Sequence, residues 1–373
     1  MKKPLQVKTN NKGGVAMNYK SLAMSFRIQL GFHAANNEGA GGTNVMEPRR
    51  ITVGDKEYDG ISGEIIRHHI LENFVRLCQE HNLPLHPRCY GLVPDRGKEP
   101  LKQWIQTNQS SLPKKKVQNQ DLPLLDPSHY PEVTKQLLQD CALCDVGGFL
   151  LALEAKDGAQ GTLKRDSCFE VGWLITEHPA VVNYTQHSAY DPDPEKHNLF
   201  VQNMRNGIYG GVVRIDLDRI GFNDWWWLGE NVNKYAILDA ERYKRMWVLL
   251  EAIKQWMLSP SFAKQAGWLH HPDGTFEGVI VLSTDGPAPF YSPIKFELEN
   301  GDPNRPVIKP NPEYRKIIQQ LKGKCGDTLK VEEFNQPSEF KEKIGQVIEE
   351  LKLKAQSQDK AEQSDSASKQ TSE

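Results

Sequence analysis

The sequence has no segment that would hold it in a membrane or direct it out of the cell. No apolar run approaches the roughly 18 residues that cross a bilayer. Residues 1–4 are not followed by the apolar stretch of a signal peptide. The six cysteines are few and unevenly spaced in a chain of 373 residues, which favours reduced thiols over a disulfide framework. We therefore expect a cytoplasmic protein that does not contact a membrane.

Several signatures of enzymes and of RNA-binding sheets are missing as well. The chain has no Walker loop, dinucleotide fingerprint, nucleophile elbow or His-Glu-x-x-His helix. It also lacks the aromatic signature of RNA-recognition strands. If its sheet binds RNA, backbone contacts should therefore dominate over base stacking. We predict no cofactor and no catalytic residue.

An overall excess of positive charge is also missing, because the formal net charge is −2. Residues 331–373 carry ten acids and six Lys or Arg, a balance of −4, which leaves −2 − (−4) = +2 for residues 1–330. This excludes binding of nucleic acid by bulk charge. A mildly basic body can still hold nucleic acid in a local groove.

Residues 33–70 organise the rest of the chain. Apolar and polar residues alternate over 21–30 and predict a half-buried strand, which leads into a loop rich in Gly, Asn and Arg. Ser62 can cap a helix that begins at Gly63 and ends near Glu80. The free N–H groups at such a helix start bind anions, phosphates above all.

Four basic residues surround this predicted anion site. Arg67 and His68 lie one turn into the helix, off its apolar stripe, and Arg49 and Arg50 precede it. A second interpretation stays open, in which Ser62 only caps the helix, Arg67 and His68 are solvated, and Arg49 and Arg50 lie on the surface of a hairpin.

The order of predicted core elements is strand, helix, strand, strand, strand, helix, strand. This order predicts an α+β fold with a ferredoxin-like sheet and two helices on one face, enlarged by insertions. After the first strand and helix, the elements are predicted strands at 149–153, 169–176 and 212–217, a helix at 240–258 and a strand at 278–282.

Long polar segments lie around and between these core elements. Residues 1–20 form a predicted flexible basic arm, and residues 82–130 read as an insertion outside the central sheet. The polar, proline-interrupted residues 183–199 should project as an extended hairpin or loop. Residues 301–354 hold predicted linkers and helices. Residues 355–373 have almost nothing to bury, and we predict a disordered tail.

Two clusters leave other chemistries open. Cys141 and Cys144 have the spacing of half a zinc site, which Cys168 or a distant His could complete. Because a second matched pair is missing from the sequence, reduced buried cysteines are favoured and we predict no metal. Asp216 and Asp218, together with the acids of residues 191–197, suit a divalent ion and suggest a metal-dependent ribonuclease as an alternative.

A run of three tryptophans, Trp225–Trp227, supports a further alternative. Three consecutive Trp cannot all face one core, so one or two should pack and one should be exposed. The chain could therefore be a protein-interaction module that binds a partner through this patch.

Four phrases resemble the DevR-type backbone subunit of type I CRISPR effector complexes, of the Cas-seven family in the RAMP superfamily, with subtype I-B suggested. They lie in the family's order at residues 35–39, 58–67, 144–149 and 209–221. The resemblance implies a ferredoxin-like, RNA-recognition-like palm with large inserted finger and thumb elements. Residues 82–130 would be the fingers, residues 183–207 the thumb, and residues 21–300 the whole palm.

The resemblance also implies a function in antiviral defence. Copies of the chain would polymerise as a helical filament along one CRISPR guide RNA and, with other effector subunits in a Cascade complex, support binding of target DNA. Such a subunit must hold every guide alike, through backbone and shape. The residues implied to hold RNA are Asn36, Asn37, Arg49, Arg50, Ser62, Gly63, Arg67, His68, His187 and Arg205.

Related type III subunits cut target RNA with an Asp in the loop after the first strand. In this chain the corresponding loop carries Asn36 and Asn37, and an amide cannot act as a base. We therefore expect a non-catalytic RNA-binding subunit.

Overall fold

The structure is a computed structural model, and it describes residues 18–34, 37–39, 45–93, 97–117, 119–180, 182–189, 198–230, 232–260 and 276–370. In chain order the strands are β1 (Ser21–His33), β2 (Asn37–Gly39), β3 (Val45–Pro48), β4 (Arg50–Val53), β5 (Lys56–Ile61), β6 (Lys114–Val117), β7 (Gln120–Pro123), β8 (Phe149–Leu153), β9 (Gly161–Arg165), β10 (Phe169–Val171), β11 (Leu174–Pro179), β12 (Val182–Ala189), β13 (Asn198–Asp216), β14 (Phe276–Ser283), β15 (Ile294–Leu298), β16 (Pro306–Pro310) and β17 (Leu329–Phe334). The α-helices are α1 (Gly63–Glu80), α2 (Lys98–Thr107), α3 (Tyr130–Asp140), α4 (Ala142–Gly147), α5 (Asp239–Leu258), α6 (Tyr314–Cys325) and α7 (Pro337–Gln370).

The main sheet has β1 at its centre. Its strands follow the order β17-β14-β1-β13-β11-β5-β4, and β1 pairs antiparallel with both β13 and β14. Ser21 lies opposite Asp216 on one side and Ser283 on the other. The inner strands β14-β1-β13-β11, with α1 and α5 between them along the chain, have the ferredoxin-like order. The predicted α+β fold with a central antiparallel sheet is confirmed.

Helices α1, α5 and α7 form one layer against the sheet. The apolar stripe of α1, including Ile66, Ile70 and Phe74, packs in one cluster with Phe26 and Ile28 of β1. Burying each of these large side chains contributes about 1.5–3 kcal/mol. This layer positions the start of α1 beside the sheet.

The opposite face of β1 is covered as well. Ala23 packs with Val279 of β14 and with Tyr314 and Ile318 of α6. Ser25 is buried too. The prediction of a half-buried β1 was therefore wrong, because α6 covers the face on which its small and polar residues lie.

Two predicted core strands differ in the structure. The segment 149–153 forms β8, which pairs with β9 in a separate two-stranded sheet. Gly148, at φ +68°, turns the chain away between α4 and β8. The predicted strand 169–176 divides into β10 and β11, because one extra residue between Val171, which pairs with Val213, and Ile175, which pairs with Gly210, shifts the register against β13.

The inserted segments form elements of their own. In residues 82–130, β6 and β7 form a two-stranded sheet and α2 precedes it. In residues 183–207, β12 pairs antiparallel with the first half of β13, so this segment is an extended hairpin at the backbone level.

The C-terminal part differs from the prediction in two ways. Residues 301–354 contain β17, which joins the edge of the main sheet beside β14 because Leu329, Val331 and Phe334 face buried clusters. The predicted disordered tail was wrong for residues 355–370, since α7 continues to Gln370.

Two features explain the continuation of α7. Its last turns are rich in Ala, Lys, Gln and Glu, which are good helix formers. The Glu362 carboxylate also accepts a hydrogen bond from the backbone N–H of Ala240, in the first turn of α5. In the described part of the chain, we find no helix with both the length and the apolar character needed to cross a membrane.

Candidate nucleic-acid interface

The start of α1 is fixed by local packing. Ser62 adopts an extended backbone, and its Oγ accepts a hydrogen bond from the N–H of Ile65 at 3.4 Å. A Cβ added at Gly63 would lie 1.9 Å from the carbonyl oxygen of Val171, so only glycine fits there. Ser62 and Gly63 are both buried. They shape the helix start against β10, and that they contact RNA stays a prediction.

A groove of about 490 Å³ lies along the first turns of α1. We call it the α1 groove. Its residues are Arg67, His68, Leu71, Leu92, Gly147, Gly148, Phe149, Leu150, Lys164, Arg165, Asp166 and Ser167. The structure thus places the predicted Arg67 and His68 opposite the 147–149 segment of the family-like phrase and opposite the end of β9.

The charges of the α1 groove are mainly positive. Arg67 is partly exposed, His68 is exposed, and Lys164 projects into solvent. The Lys164 ammonium lies 3.9 Å from the Asp166 carboxylate, and the His68 Nε2 lies 3.4 Å from the Glu72 carboxylate. Exposed contacts of this kind contribute little, so these side chains are available to an anionic ligand. Sequence reasoning missed Lys164, which only the fold brings to α1.

Two glycines, Gly147 and Gly148, lie among the residues of the groove. A Cβ added at Gly148 would lie 2.5 Å from the carbonyl oxygen of Arg165, and the φ of Gly148 is +68°. Gly147 ends α4 just before this turn. Part of the groove lining is therefore glycine backbone, which suits contacts that do not depend on base sequence.

Arg49 and Arg50 lie at the β4–β5 hairpin. The Arg49 guanidinium stacks on the ring of Trp173 at 5.4 Å, a cation–π contact. Arg50 forms an ion pair with Glu57 on the partner strand. These contacts match the alternative interpretation, in which both arginines belong to a hairpin surface.

Arg205 is part of a buried polar cluster. Its side chain is 1% exposed and pairs with Asp59, which also accepts a hydrogen bond from the Tyr209 hydroxyl. The His33 Nε2 lies 2.9 Å from the Tyr209 oxygen and donates to it, because the Tyr209 proton is already given to Asp59. That Arg205 contacts RNA stays a prediction, and in the structure its charge is enclosed within the sheet.

Burial controls the protonation of this cluster. It raises the pKa of Asp59, although the charge of Arg205 acts in the opposite direction. Burial, together with the nearby Arg205 charge, lowers the pKa of His33 to about 3. His33 is therefore neutral at physiological pH. The cluster joins β1, β5 and β13 at the end of β1.

Three predicted RNA-binding residues fall at or beyond the limits of the described structure. Asn36 lies outside the described residues, and so do the side chains of Asn37 and His187. At the backbone level, Asn37 pairs with Pro48, and His187 pairs with Phe200 in the β12–β13 hairpin. Strand β3 pairs in parallel with β13, so the segment after β1 and the hairpin are joined in one extension of the sheet.

A second buried network lies behind the groove wall. The Asp145 carboxylate accepts hydrogen bonds from Arg165 at 2.6 Å, from Arg245 at 2.9 Å and from the backbone N–H of Gly221 at 2.9 Å. All three charged side chains are fully buried. The network joins α4, β9, α5 and the loop after β13. Sequence reasoning missed it, because its members are far apart along the chain.

The acids of the nuclease alternative are engaged by the protein itself. Asp216 accepts a hydrogen bond from the N–H of Arg219 at 3.2 Å. Asp218 accepts from the Tyr235 hydroxyl at 2.8 Å and lies 3.5 Å from the Arg242 guanidinium. Residues 191–197 lie outside the described residues. Within the described chain, neither Asp belongs to a group of three or more possible metal ligands.

A different group could hold a metal ion. One ligand atom from each of His86, Cys89, Cys141 and Cys144 lies within 4.8 Å of the others, and all four residues are buried. The pair that seemed to be missing from the sequence is thus a His-x-x-Cys pair in the segment after α1.

The three tryptophans divide as expected. Trp225 is partly buried, with its ring centroid 5.0 Å from that of Tyr130, and packs against the core. Trp226 and Trp227 are 39% and 64% exposed. The prediction that one would pack and one would be exposed is confirmed.

The fold and the groove define a class: an α+β protein with a ferredoxin-like sheet and a cationic, glycine-walled groove at the start of its first helix. Residues 24–299 match the family described as CRISPR-associated negative auto-regulator DevR/Csa2, and the chain belongs to this family. Similar solved structures include a chain of a CRISPR RNA-guided surveillance complex, with a TM-score of 0.40 and 8% identity over 88% of this chain and 99% of that one. A pre-nicking form of such a complex gives a TM-score of 0.38 and 10% identity over 83% and 90%. A comparison with curated proteins found no match.

Proposed function

We propose that the chain is a non-catalytic subunit of a CRISPR RNA-guided effector complex, and that it binds the guide RNA backbone in the α1 groove. Its partners are the guide RNA, further copies of itself along that RNA, other effector subunits and, in the assembled complex, target DNA. Family membership supports the CRISPR role. The observation that carries the proposal is the joint presence of Arg67, His68 and Lys164 in one groove.

The chemistry of the groove suits phosphates. The Arg67 guanidinium can hold a phosphate with two parallel hydrogen bonds, and Lys164 can act on it as a point charge. The backbone wall at Gly147–Phe149 has no side chain that would read a base at the two glycines. A guide-binding subunit needs this kind of contact, because base pairing with the target supplies the sequence specificity.

The modest net charge is compatible with this role. Each subunit needs only a local footprint, since several copies along one RNA add their contacts. Binding that depends on phosphate contacts weakens steeply as salt concentration rises. We expect the same dependence for retention of guide RNA by this chain.

The contacts made by Asp216 and Asp218 support the non-catalytic part of the proposal. Each carboxylate accepts a hydrogen bond from the chain itself, and within the described residues neither belongs to a group of three or more possible metal ligands. Incubation of the purified chain with labelled guide and target RNA and Mg²⁺ or Mn²⁺ should leave both intact. Cleavage that Asp216→Ala abolishes would contradict this expectation.

Co-expression with a CRISPR array tests the RNA-binding groove. The double variant Arg67→Glu, Lys164→Glu should lose guide RNA at purification, as measured by the absorbance ratio and by the RNA recovered on a gel. A charge-assisted hydrogen bond contributes about 1.5–3 kcal/mol, so each lost contact weakens binding at least about tenfold. The matched control is Lys156→Glu, because Lys156 is exposed in the turn between β8 and β9 and away from the groove.

The outcomes separate the possibilities. Equal RNA retention by the double variant and the control would refute the groove. A loss confined to particular guide sequences would contradict backbone recognition. Circular dichroism of each variant verifies that the fold is intact.

A further inference from the structure

A buried cluster of three thiols and one imidazole connects two segments that are far apart in the sequence. His86 and Cys89 lie at the start of the segment after α1, and Cys141 and Cys144 flank the first turn of α4. Cys89 and Cys141 are 52 positions apart. The backbone joins the same two segments, because the N–H of Ala142 bonds the carbonyl of Pro84 at 2.8 Å.

Two distances within the cluster are close to those of a tetrahedral metal site, and a third is shorter. Zinc bonds of about 2.3 Å to sulfur and about 2.0–2.1 Å to nitrogen place neighbouring ligand atoms about 3.5–3.8 Å apart. The Cys89 and Cys144 sulfurs are 3.9 Å apart, and the Cys144 sulfur lies 3.6 Å from the His86 Nδ1. The Cys89 and Cys141 sulfurs are 3.2 Å apart, which is far beyond a disulfide length of about 2.05 Å.

The imidazole of His86 faces the thiols through one nitrogen. His86 is 7% exposed, and its Nδ1 is the nitrogen that lies 3.6 Å from the Cys144 sulfur. An ion among the three sulfurs would bind the ring at Nδ1, and it would explain why three thiols converge on one imidazole. The Nε2, which has no hydrogen-bond partner within the described part of the chain, would face away from the ion.

We propose that His86, Cys89, Cys141 and Cys144 bind one structural Zn²⁺ ion. Thiolate and imidazole ligands select zinc among the common divalent ions, and a Cys₃His set closes the tetrahedron without leaving a position for a substrate. The ion replaces the thiol protons, which leave as the thiolates form. Because all four ligands are buried, the site stabilises the fold and does no chemistry.

The site has a consequence for the α1 groove, and this consequence rests on the proposed function. Leu92 lies three positions after Cys89, and Gly147 lies three positions after Cys144. Leu92 and Gly147–Phe149 line the groove. The metal therefore holds two parts of the groove wall in one position. Loss of zinc should loosen this wall and weaken retention of guide RNA, although every basic side chain of the groove stays in place.

Metal analysis of the full chain tests the site. Protein purified without chelator should contain about one zinc ion per chain, as measured by inductively coupled plasma mass spectrometry. The apo protein titrated with Co²⁺ should show the visible d–d bands of a tetrahedral thiolate site, and these should saturate at about one equivalent. The Co²⁺ titration uses the unaltered chain, so it does not depend on the folding of any variant.

Four variants locate the ligands. Cys141→Ser, Cys144→Ser should lose the bound metal, whereas Cys168→Ser, at a buried cysteine outside the cluster, should keep it. His86→Ala should reduce metal content, and His86→Cys should restore it, since four thiolates also suit zinc.

Several outcomes would overturn the proposal. One is a zinc content well below one per chain together with the absence of Co²⁺ bands. Another is an unchanged metal content in the double cysteine variant. A third is a Cys89–Cys141 disulfide in the purified chain. None of these measurements involves RNA, so a failure of the RNA-binding groove leaves the zinc result intact. RNA loss in the metal-free chain, with Arg67 and Lys164 unchanged, tests the consequence for the groove separately.

Discussion

Replacing Asp145 by Asn should destabilise the chain more than other single charge removals. The change keeps the size of the side chain but deletes the negative charge between two fully buried guanidinium groups, those of Arg165 and Arg245. The Asp145 carboxylate also accepts a hydrogen bond from the N–H of Gly221, and the amide of an asparagine can accept fewer hydrogen bonds than this carboxylate. Breaking a buried ion pair by removing one partner costs about 3–5 kcal/mol.

The remaining contacts place the expected loss near the lower end of that range. Arg165 keeps the Asp224 carboxylate at 2.8 Å, and Arg245 keeps the Glu241 carboxylate. We therefore expect a loss of about 3 kcal/mol in the free energy of unfolding. With a urea m-value of about 3 kcal/mol/M, the midpoint of unfolding should fall by about 1 M.

Urea unfolding followed by tryptophan fluorescence measures this change. Asp166→Asn is the matched control, because Asp166 is exposed and faces Lys164 at 3.9 Å, and it should change stability by less than about 0.5 kcal/mol. Adding Arg245→Met to Asp145→Asn should cost less than the sum of the single changes, since it removes a charge that has lost a partner. Equal midpoints for Asp145→Asn and Asp166→Asn would refute the reasoning.

Two further predictions concern the start of α1 and the cluster below the Asn-rich loop. Gly63→Ala should destabilise the chain by about 1–3 kcal/mol or more in thermal unfolding, because the new Cβ would lie 1.9 Å from the Val171 carbonyl oxygen. The control Gly345→Ala, in α7 with nothing within 4 Å of the new Cβ, should be neutral or stabilising by up to about 1 kcal/mol. His33, whose pKa burial lowers from 6.5 to about 3, stays neutral in the folded chain while the unfolded chain takes up a proton below pH 6.5. Stability should therefore fall as pH falls below 6.5, by about 2 kcal/mol at pH 5 from this group, and His33→Gln should flatten that dependence. Identical pH profiles of the two proteins would contradict the assignment.

Much of the fold could be predicted because its signals are local. The cap at Ser62 and the apolar spacing of Ile66, Ile70 and Phe74 predict α1 with both of its bounds as the structure has them. Where a segment's place depended on its partners, prediction failed. The sequence of β8 reads as a core strand, yet only its pairing with β9 decides that it lies outside the main sheet.

The tail was mispredicted for a related reason. Residues 355–370 have few apolar side chains, and composition alone favours disorder. Their helix continues one that is already anchored by Phe340, Ile344 and Ile348, so no new nucleus has to form. The contact of Glu362 with α5 is a tertiary interaction that composition does not show.

The site shows the same division between local and distant signals. Arg67 and His68 were predicted from helix geometry, and the structure places both in the α1 groove. Arg205 could not be recognised as buried, because its partner Asp59 is 146 positions away. His86 and Cys89 escaped detection for the same reason, since only the fold brings them to Cys141 and Cys144.

The edge position of β17 affects how the chain can be synthesised. Until β17 emerges from the ribosome, β14 presents an open strand edge, and Phe276 lacks the Phe334 and Phe340 rings that pack on it at 5.5 and 5.7 Å. An open edge with exposed aromatic side chains promotes aggregation. The nascent chain is therefore most dependent on chaperones during the interval between the translation of β14 and that of α7. A fragment cut at the end of the family match, at residue 299, would remain permanently in that vulnerable state.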